Sequence, residues 1–142
     1  MKNNVWVCLE QNDGKIAGVS FEMLSEARKL ADQLSGKVGA VLMGAGVKEL
    51  AKEAVAYGAD EVYVCDDEQL KNYRTDAYTR VLEDLVKGKE PGILLLPATT
   101  NGRDLAGRLA SRLEAGLAAD CVALRLEDGQ LVATRPIFGG NL

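Results

Sequence analysis

Uninterrupted apolar runs alternate along this chain with stretches in which apolar residues recur every three or four positions. The runs at 5–9, 38–43, 61–65 and 93–96 are typical of strands that are buried on both faces. Each run precedes a stretch with helical spacing, and this alternation favours a parallel sheet with helices on both sides. The pattern therefore predicts an α/β domain.

Four amphipathic helices are predicted to follow these strands, at 20–35, 47–57, 75–87 and 101–114. Ser20 is a candidate N-cap of the first helix, and Gly36, which is free to adopt a positive φ, is expected to end it. The positions expected to face the sheet include Phe21, Leu24, Ala27, Ala31 and Leu34 in the first helix and Leu50, Ala51, Ala54 and Val55 in the second.

The pattern changes after the fourth helix. The runs at 121–126 and 130–135 are β-like, and the Asp128-Gly129 pair between them is a signal for a tight hairpin. Together these elements predict a Rossmann-like, doubly wound, mostly parallel α/β fold with a C-terminal antiparallel hairpin. Ligands of such sheets bind beyond the carboxyl ends of the strands, so the segment after each strand is a candidate site.

Composition narrows the function classes. The 142 residues fit one domain, and a net charge of −4 argues against a nucleic-acid partner, which requires clustered lysine and arginine. The apolar runs are too short to span a membrane, and no signal or transit peptide is expected before the first strand. Three dispersed cysteines, Cys8, Cys65 and Cys121, fit a reducing cytoplasm. Because the chain has no histidine, we expect no metal site and no self-sufficient catalytic set.

The richest candidate site follows the fourth strand, in the 97–104 loop. Its polar and flexible members are Thr99, Thr100, Asn101, Gly102 and Arg103. The start of a helix offers free N–H groups and a partial positive charge, Gly102 permits a close approach, and Arg103 can pair with a phosphate or carboxylate. The alternative is structural: Thr99, Thr100 or Asn101 caps the helix, and Asp104 complements its dipole. A single cap explains one such residue but not the cluster.

Other strand ends carry weaker signals. Gly44-Ala-Gly46 resembles part of a dinucleotide-binding turn, but it lacks a third glycine and follows the second strand, so a simple tight turn is favoured. The acidic segment 66–68 is interpreted as a solvated loop rather than a cation site. Glu10 and Asp13 are interpreted as exposed acids at a hairpin tip, and Trp6 as a core residue.

A second unusual segment spans 135–141. Arg135, Gly139, Gly140 and Asn141 lie at a strand end, where glycines suggest the close approach of another group. A domain seldom finishes on such a segment, so the complete protein is expected to continue past Leu142.

Three ordered motifs resemble those of electron-transfer flavoprotein alpha subunits. Segment 97–105 (PATTNGRDL) is similar to their ATT-x-G-[RK]-D-L segment, and segment 116–121 (GLAADC) to their G-L-x-[AS]-D segment. Segment 134–141 (TRPIFGGN) is similar to their RP-[aromatic or small]-[AG]-G-N strand end. The resemblance covers nearly the whole chain. The Gly-Gly-Asn version leans toward the alpha subunits of anaerobic fermenters, many of which take part in flavin-based electron bifurcation.

The resemblance implies an electron carrier rather than an enzyme. Family members are alpha–beta heterodimers that shuttle electrons between dehydrogenases, such as acyl-CoA dehydrogenases, and another redox partner. Their FAD is bound by a C-terminal domain of the alpha subunit, so residues 1–142 would be the N-terminal domain and would hold no FAD alone. The resemblance further implies that this domain docks the beta subunit and shapes a flavin's surroundings. The candidate contacts are Thr99, Thr100, Asn101, Gly102, Arg103, Arg135, Gly139, Gly140 and Asn141.

Two alternatives stay open on the sequence. The family's N-terminal domain also resembles adenine-nucleotide hydrolase-like domains, and a domain of the universal-stress-protein type would bind ATP or AMP after the first and fourth strands. A structural module without any ligand is the other alternative. The sequence specifies neither the dehydrogenase partner nor bifurcating as against ordinary electron transfer.

Overall fold

The computed structural model describes residues 3–12, 14–112, 123–127 and 130–133. The strands are β1 (Val5–Cys8), β2 (Gln11–Asn12), β3 (Lys15–Ile16), β4 (Val38–Gly44), β5 (Glu61–Asp66), β6 (Ile93–Leu95), β7 (Ala123–Glu127) and β8 (Gln130–Ala133). The α-helices are α1 (Gly18–Leu34), α2 (Ala51–Ala56), α3 (Thr75–Lys89) and α4 (Thr100–Arg112). Short 3-10 turns at Lys48–Leu50 and Glu68–Leu70 precede α2 and α3.

One six-stranded sheet organises the domain, in the order β5-β4-β1-β6-β7-β8. The first four strands are parallel, with Val5 of β1 paired to Val38 on one side and Ile93 on the other. The predicted hairpin of β7 and β8 adds two antiparallel strands next to β6, as expected. The chain moves outward from β1 through β4 to β5 and then crosses to β6. This Rossmann-type order places a topological switch point between β1 and β6.

The sheet separates two apolar layers. Val5 and Val7 of β1 face the layer under α1 and α2, whereas Trp6 and Cys8 face the layer under α3 and α4. This alternation follows from the two-residue period of a strand, and burial on both faces explains the uninterrupted apolar run. Trp6 is 1% exposed and its ring lies 4.8 Å from that of Tyr63, which confirms its prediction as a core residue.

The start of α1 corrects a prediction. Ser20 does not cap the helix, because α1 begins at Gly18 and its N-cap residue, Ala17, makes no side-chain capping bond. Ser20 is instead fully buried, and its hydroxyl accepts a hydrogen bond from the Glu10 N–H at 2.8 Å. The side chain that was expected to cap the start of a helix therefore anchors the segment that leaves β1.

The end of α1 also differs from the prediction. Ser35, not Gly36, takes the left-handed conformation, with φ of 57°. Gly36 is required for a different reason, since a Cβ at this position would lie 1.8 Å from the carbonyl oxygen of Asn3. Two apolar residues expected to face the sheet are also exposed: Leu34 by 40% and Val55 by 56%. Both lie within two residues of a helix end, where the helical face turns away from the sheet.

Two element boundaries also differ from expectation, and one strand is less buried than predicted. The helix predicted at 47–57 is a 3-10 turn followed by the short α2, and Gly58 ends it with φ of +113°. Helix α3 continues through Gly88 to Lys89, where the sequence suggested a break. Strand β5 is the edge of the sheet and is only partly buried. In the described part of the chain, no helix is long and apolar enough to cross a membrane.

Candidate functional site

A pocket of about 180 Å³ lies at the switch point between β1 and β6, beyond the carboxyl ends of the strands. Its floor is apolar and lies on the α3 and α4 side of the sheet; it consists of Cys8, Met43, Tyr78, Pro97 and Leu105. Its rim is polar and includes Glu10, Gln11, Asn12, Lys71, Asn72, Tyr73 and Asn101. The pocket is thus a small, partly apolar crevice in the position where this fold class binds its ligands.

Thr99 is the N-cap of α4, so the structural alternative for this residue is confirmed. Its Oγ1 accepts a hydrogen bond from the N–H of Gly102 at 3.1 Å, three residues along the chain. The same hydroxyl donates to Oε1 of Glu10 at 2.6 Å. Thr99 therefore joins the 97–104 loop to the end of β1 across the mouth of the crevice.

Gly102 is needed for a close approach within the protein itself. A Cβ at this position would lie 1.9 Å from the carbonyl oxygen of Pro97, a contact that only a backbone shift could relieve. The first turn of α4 consequently packs directly on its own loop. The close approach that the sequence predicted occurs here between two parts of one chain.

Asp104 lies beyond the first turn of α4, so its carboxylate serves a neighbouring element rather than the helix dipole. It accepts hydrogen bonds from Thr75 Oγ1 and from the hydroxyl of Tyr73, the latter at 2.8 Å. The bond from Thr75, followed by the bond from Tyr73, lowers the pKa of Asp104 below its usual value. Burial, together with the adjacent Asp104 carboxylate, raises the pKa of Tyr73 to about 12. These contacts fix the start of α3 against α4.

The remaining predicted residues of this loop face outward. Thr100, Asn101 and Arg103 are exposed on the first turn of α4, and Asn101 also lies on the rim of the pocket. The structure therefore divides the predicted cluster into two internal residues and three that are accessible to a partner. The other predicted contacts, Arg135, Gly139, Gly140 and Asn141, lie outside the described residues, as do Asp13 and Cys121.

The turn after β4 already binds an anionic group of the protein itself. Both carboxylate oxygens of Asp66, at the end of β5, accept hydrogen bonds from backbone N–H groups of this turn: Gly46 at 2.8 Å, Val47 at 2.9 Å and Lys48 at 3.3 Å. The bond from Gly46 is the largest cause of the lowered pKa of Asp66. Gly46 has φ of +69°, which allows consecutive N–H groups to converge. The favoured interpretation as a tight turn therefore holds, with Asp66 in the place where a phosphate would bind.

The acidic segment 66–68 has structural roles. Asp66 holds the β4 turn, and Asp67 accepts a hydrogen bond from the Gln69 N–H at 2.8 Å, which caps the short 3-10 turn. Among the residues that the structure describes, no group of three or more His, Cys, Asp or Glu side chains could hold a metal ion.

The cysteines of the described region behave as apolar residues. Cys8 lies in the floor of the pocket and is 3% exposed, and burial together with the nearby Glu10 raises the pKa of its thiol to about 12. Burial also raises the pKa of Cys65, with Asp67 and Asp66 adding to the effect. Both thiols are therefore protonated near neutral pH and poorly nucleophilic.

Glu10 is the pocket residue whose role the sequence did not indicate. It follows β1 directly, which places it at the carboxyl edge of the sheet, and the order of the strands brings it against α4. Its position directly after the first strand was the sequence feature that could have indicated a place in the pocket, because ligands of this fold bind beyond the strand ends. The neighbouring Asp13 suggested an exposed pair of acids instead.

The described pocket does not fit FAD. Its volume of about 180 Å³ is smaller than the roughly 300–1,000 Å³ of typical sites for drug-sized ligands. Glu10 at its rim would repel a pyrophosphate, and the N–H groups of the β4 turn are bonded to Asp66. The crevice therefore lacks both the room and the phosphate contacts that a dinucleotide needs.

The strand order and the switch-point crevice define a Rossmann-like α/β domain. A family model described as the electron transfer flavoprotein domain matches residues 5–142. The chain therefore belongs to the electron transfer flavoprotein domain family. This membership favours the flavoprotein interpretation of the sequence motifs over the adenine-nucleotide-binding alternative.

Similar proteins carry consistent names. The chain is 49% identical over 140 residues to an electron transfer flavoprotein subunit alpha of Thermoanaerobacterium thermosaccharolyticum, with 98% of this chain and 42% of that protein covered. It is 49% identical over 140 residues to a protein FixB of Clostridium saccharobutylicum, with 97% and 42% covered. It is 43% identical over 163 residues to the acryloyl-CoA reductase electron transfer subunit beta of Anaerotignum propionicum, with 98% and 44% covered. The chain thus spans less than half the length of these relatives.

Proposed function

We propose that this chain is the N-terminal α/β domain of an electron transfer flavoprotein alpha subunit, and that the whole protein is an electron carrier in the cytoplasm. The observation that carries the proposal is the family match over residues 5–142, combined with relatives of more than twice the chain's length. The carrier passes electrons between dehydrogenases and another redox partner. It does so without a catalytic set of its own.

The cofactor of the proposed carrier is FAD, held by residues other than those of the described pocket. The size of the pocket and the Glu10 carboxylate at its rim support this assignment. The protein supplies binding and electrostatics while the flavin performs the redox chemistry. The domain formed by residues 1–142 accordingly has a docking and positioning role.

The partners of the proposed carrier are an electron transfer flavoprotein beta subunit and a dehydrogenase of the acyl-CoA type. The name of the Anaerotignum propionicum relative, which includes acryloyl-CoA reductase, supports the acyl-CoA context. The similarity of the Gly-Gly-Asn segment to the alpha subunits of anaerobic fermenters supports a role in flavin-based bifurcation. The exposed residues of a subunit determine which proteins it binds. The exposed residues of the 97–104 loop are therefore the ones to substitute in a test of partner binding.

We assign the beta-subunit contact to the outward side of the first α4 turn, with Thr100, Asn101 and Arg103. Their exposure supports this assignment, whereas Thr99 is half-buried and Gly102 is buried. Arginine is enriched at interface positions that dominate binding energy. A cation placed near a flavin also favours its reduced, anionic form.

Substitution of Arg103 in the full heterodimer tests the proposal. For Arg103→Ala we expect the dissociation constant of the subunits to rise about tenfold, equivalent to about 1.4 kcal/mol, or the flavin midpoint potential to fall. Arg80→Ala is the matched control, since Arg80 is exposed on α3, away from the loop. Subunit affinity and flavin potentials that both match the wild type would remove Arg103 from the interface.

The domain assignment has a separate test in the complete reading frame. We expect the sequence beyond Leu142 to contain the serine- and glycine-rich segment that binds FAD in this family. The full-length subunit should then purify with FAD when co-expressed with its beta subunit. A complete protein without that segment would contradict the proposed domain organisation while leaving the family membership unaffected.

A further inference from the structure

The carboxyl edge of the sheet has two positions that attract anions, and a carboxylate of the protein itself lies at or beside each. Asp66 accepts three N–H bonds from the turn after β4, as described above. Glu10 lies against the N-terminus of α4, where its Oε1 accepts a hydrogen bond from Thr99, the N-cap residue. A helix N-terminus carries a partial positive charge, so Glu10 places a carboxylate beside the position that a ligand phosphate would take.

The pocket between these positions retains features of a binding site. Cys8, Met43 and Leu105 supply an apolar floor, and Tyr78 adds an aromatic wall that stands edge-on to Tyr73. Apolar walls with a few convergent polar groups are typical of small-molecule sites. The location at the switch point is also where this architecture places its ligands.

The polar groups at the rim favour a hydrogen-bonding ligand. Within the described chain, the side-chain amides of Asn12, Asn72 and Asn101 make no hydrogen bond to protein groups. Each amide offers both a donor and an acceptor, the pattern that pairs with the edge of a heterocyclic base. The volume of about 180 Å³ is below that of typical sites for drug-sized ligands, which favours a ligand smaller than a dinucleotide.

The charge at the rim selects among such ligands. Glu10 is half-buried, so a phosphate brought next to it would be repelled more strongly than in bulk water. Lys71 is the cation that lines the pocket, and it is exposed, so solvent screens its attraction. The repulsion by Glu10 outweighs the screened attraction by Lys71. Phosphorylated ligands are therefore disfavoured, whereas the binding of uncharged ligands is unaffected.

We propose that the switch-point pocket binds an uncharged, base-containing ligand of the nucleoside class, and that Glu10 is the residue that excludes its phosphorylated form. This site is independent of the electron-carrying role proposed above. It differs from a nucleotide site of the same fold because the Glu10 carboxylate lies beside the anion position at α4. The ligand class follows from the apolar floor, the free amides, the volume and the carboxylate together.

Adenosine and AMP form a matched pair of probes, since they differ only by the phosphate. Calorimetric titration of the chain should show adenosine binding with a dissociation constant at or below the millimolar range, and AMP binding at least tenfold more weakly. In Glu10→Gln, which retains an acceptor for Thr99, the ratio of the two constants should fall to about one. Glu53→Gln removes the same charge from α2, on the opposite face of the sheet, and should leave the ratio unchanged.

Two further measurements locate the effect. Asn101→Trp, an exposed change at the rim, should weaken adenosine binding at least tenfold by blocking the mouth of the pocket. If Glu10→Gln does not fold, salt replaces it: raising the ionic strength should narrow the wild-type ratio by screening the repulsion. The proposal is overturned if neither probe binds, if AMP binds as tightly as adenosine, if Asn101→Trp binds normally, or if neither Glu10→Gln nor salt narrows the ratio.

Discussion

The turn after β4 and the loop after β6 occupy equivalent places in the fold, but different contacts hold them. Each follows a buried parallel strand, contains glycine, and presents backbone N–H groups at the same edge of the sheet. In the first, a carboxylate from the neighbouring strand, Asp66, accepts three N–H bonds directly. In the second, the N–H of Gly102 is satisfied by Thr99 of the same loop, and Glu10 contacts only the capping hydroxyl.

The difference shows that the anion-binding capacity of a turn depends on its neighbours in the sheet. Three consecutive N–H groups of the β4 turn, from Gly46 to Lys48, are bonded because β5 ends on Asp66. The 97–104 loop is capped locally, which leaves Thr100, Asn101 and Arg103 exposed for an intermolecular contact. The loop that provides its own cap is therefore the better candidate for an interface.

The largest expected effect comes from Gly102→Ala in the loop after β6. The new methyl group would lie 1.9 Å from the Pro97 carbonyl oxygen, and forced overpacking of this kind typically costs about 1–3 kcal/mol, occasionally more. Urea unfolding measures the loss. Gly88→Ala is the control, because a Cβ there meets nothing within 4 Å and alanine should stabilise α3 by about 0.5–1 kcal/mol. Equal stability of the two variants would contradict the close packing.

Asp66→Asn tests the turn after β4. It should lower the free energy of unfolding by an amount that depends on pH. The folded-state pKa of Asp66 lies below its ordinary value of 3.8, because the carboxylate accepts N–H bonds from the turn. Its stabilisation is therefore complete above about pH 4 and is lost as the pH falls through the folded-state pKa. Unfolding free energies of wild type and variant from pH 7 to 3 should converge at the acid end.

The control for this comparison is Asp67→Asn, which affects one N–H bond rather than three. Asparagine is as good a cap as aspartate, so this variant should differ little from wild type at any pH. A constant difference between Asp66→Asn and wild type across the pH range would show that charge is not what holds the β4 turn.

Thr99, the N-cap of α4, is expected to contribute less to the free energy of unfolding. Thr99→Ala removes the acceptor for the Gly102 N–H and should cost about 1 kcal/mol, the usual value of an N-cap. Thermal unfolding is a sufficient measurement, and Thr99→Ser should restore most of the stability because it keeps the hydroxyl. No loss in Thr99→Ala would place the cap elsewhere in the loop.

The smallest effect is expected at the next residue. Thr100 is exposed on the first turn of α4, so Thr100→Ala should change the unfolding free energy by less than about 0.5 kcal/mol. The same unfolding experiment compares it with Thr99→Ala. A loss as large as that of Thr99→Ala would mean that both hydroxyls support the loop, and the exposed surface assigned to the partner would be correspondingly smaller.

Much of the fold was predictable because its signals are local. The apolar runs identified the strands of the parallel sheet, the helical periodicity identified α1, α3 and α4, and the Asp-Gly pair identified the hairpin of β7 and β8. Predictions failed at helix ends, because Ser20 bonds to Glu10 outside its own helix and Gly36 packs against Asn3. A pattern read along one helix contains no information about those contacts.

The candidate site was predictable only in part, for the same reason. The sequence indicated the 97–104 loop and the special role of Gly102, but not that its close contact is with Pro97. The role of Glu10 was missed because it depends on β1 and β6 being neighbours, although they are separated in the chain by two strand–helix units. Asp66 likewise acts on a turn that precedes it by some twenty residues, as its bond to Gly46 shows.

The sequence by itself determined the fold class, the family resemblance and the loop that carries it, because alternation of strands and helices and the ATT-x-G-R-D-L motif are properties of short segments. Only the tertiary structure decided which of the loop's residues are internal, where Asp66 and Glu10 place their charges, and which loop residues are exposed. Those outcomes require residues distant in the chain to meet at one edge of the sheet. Their meeting is set by the order of the strands, which the hydrophobic pattern of a single segment does not encode.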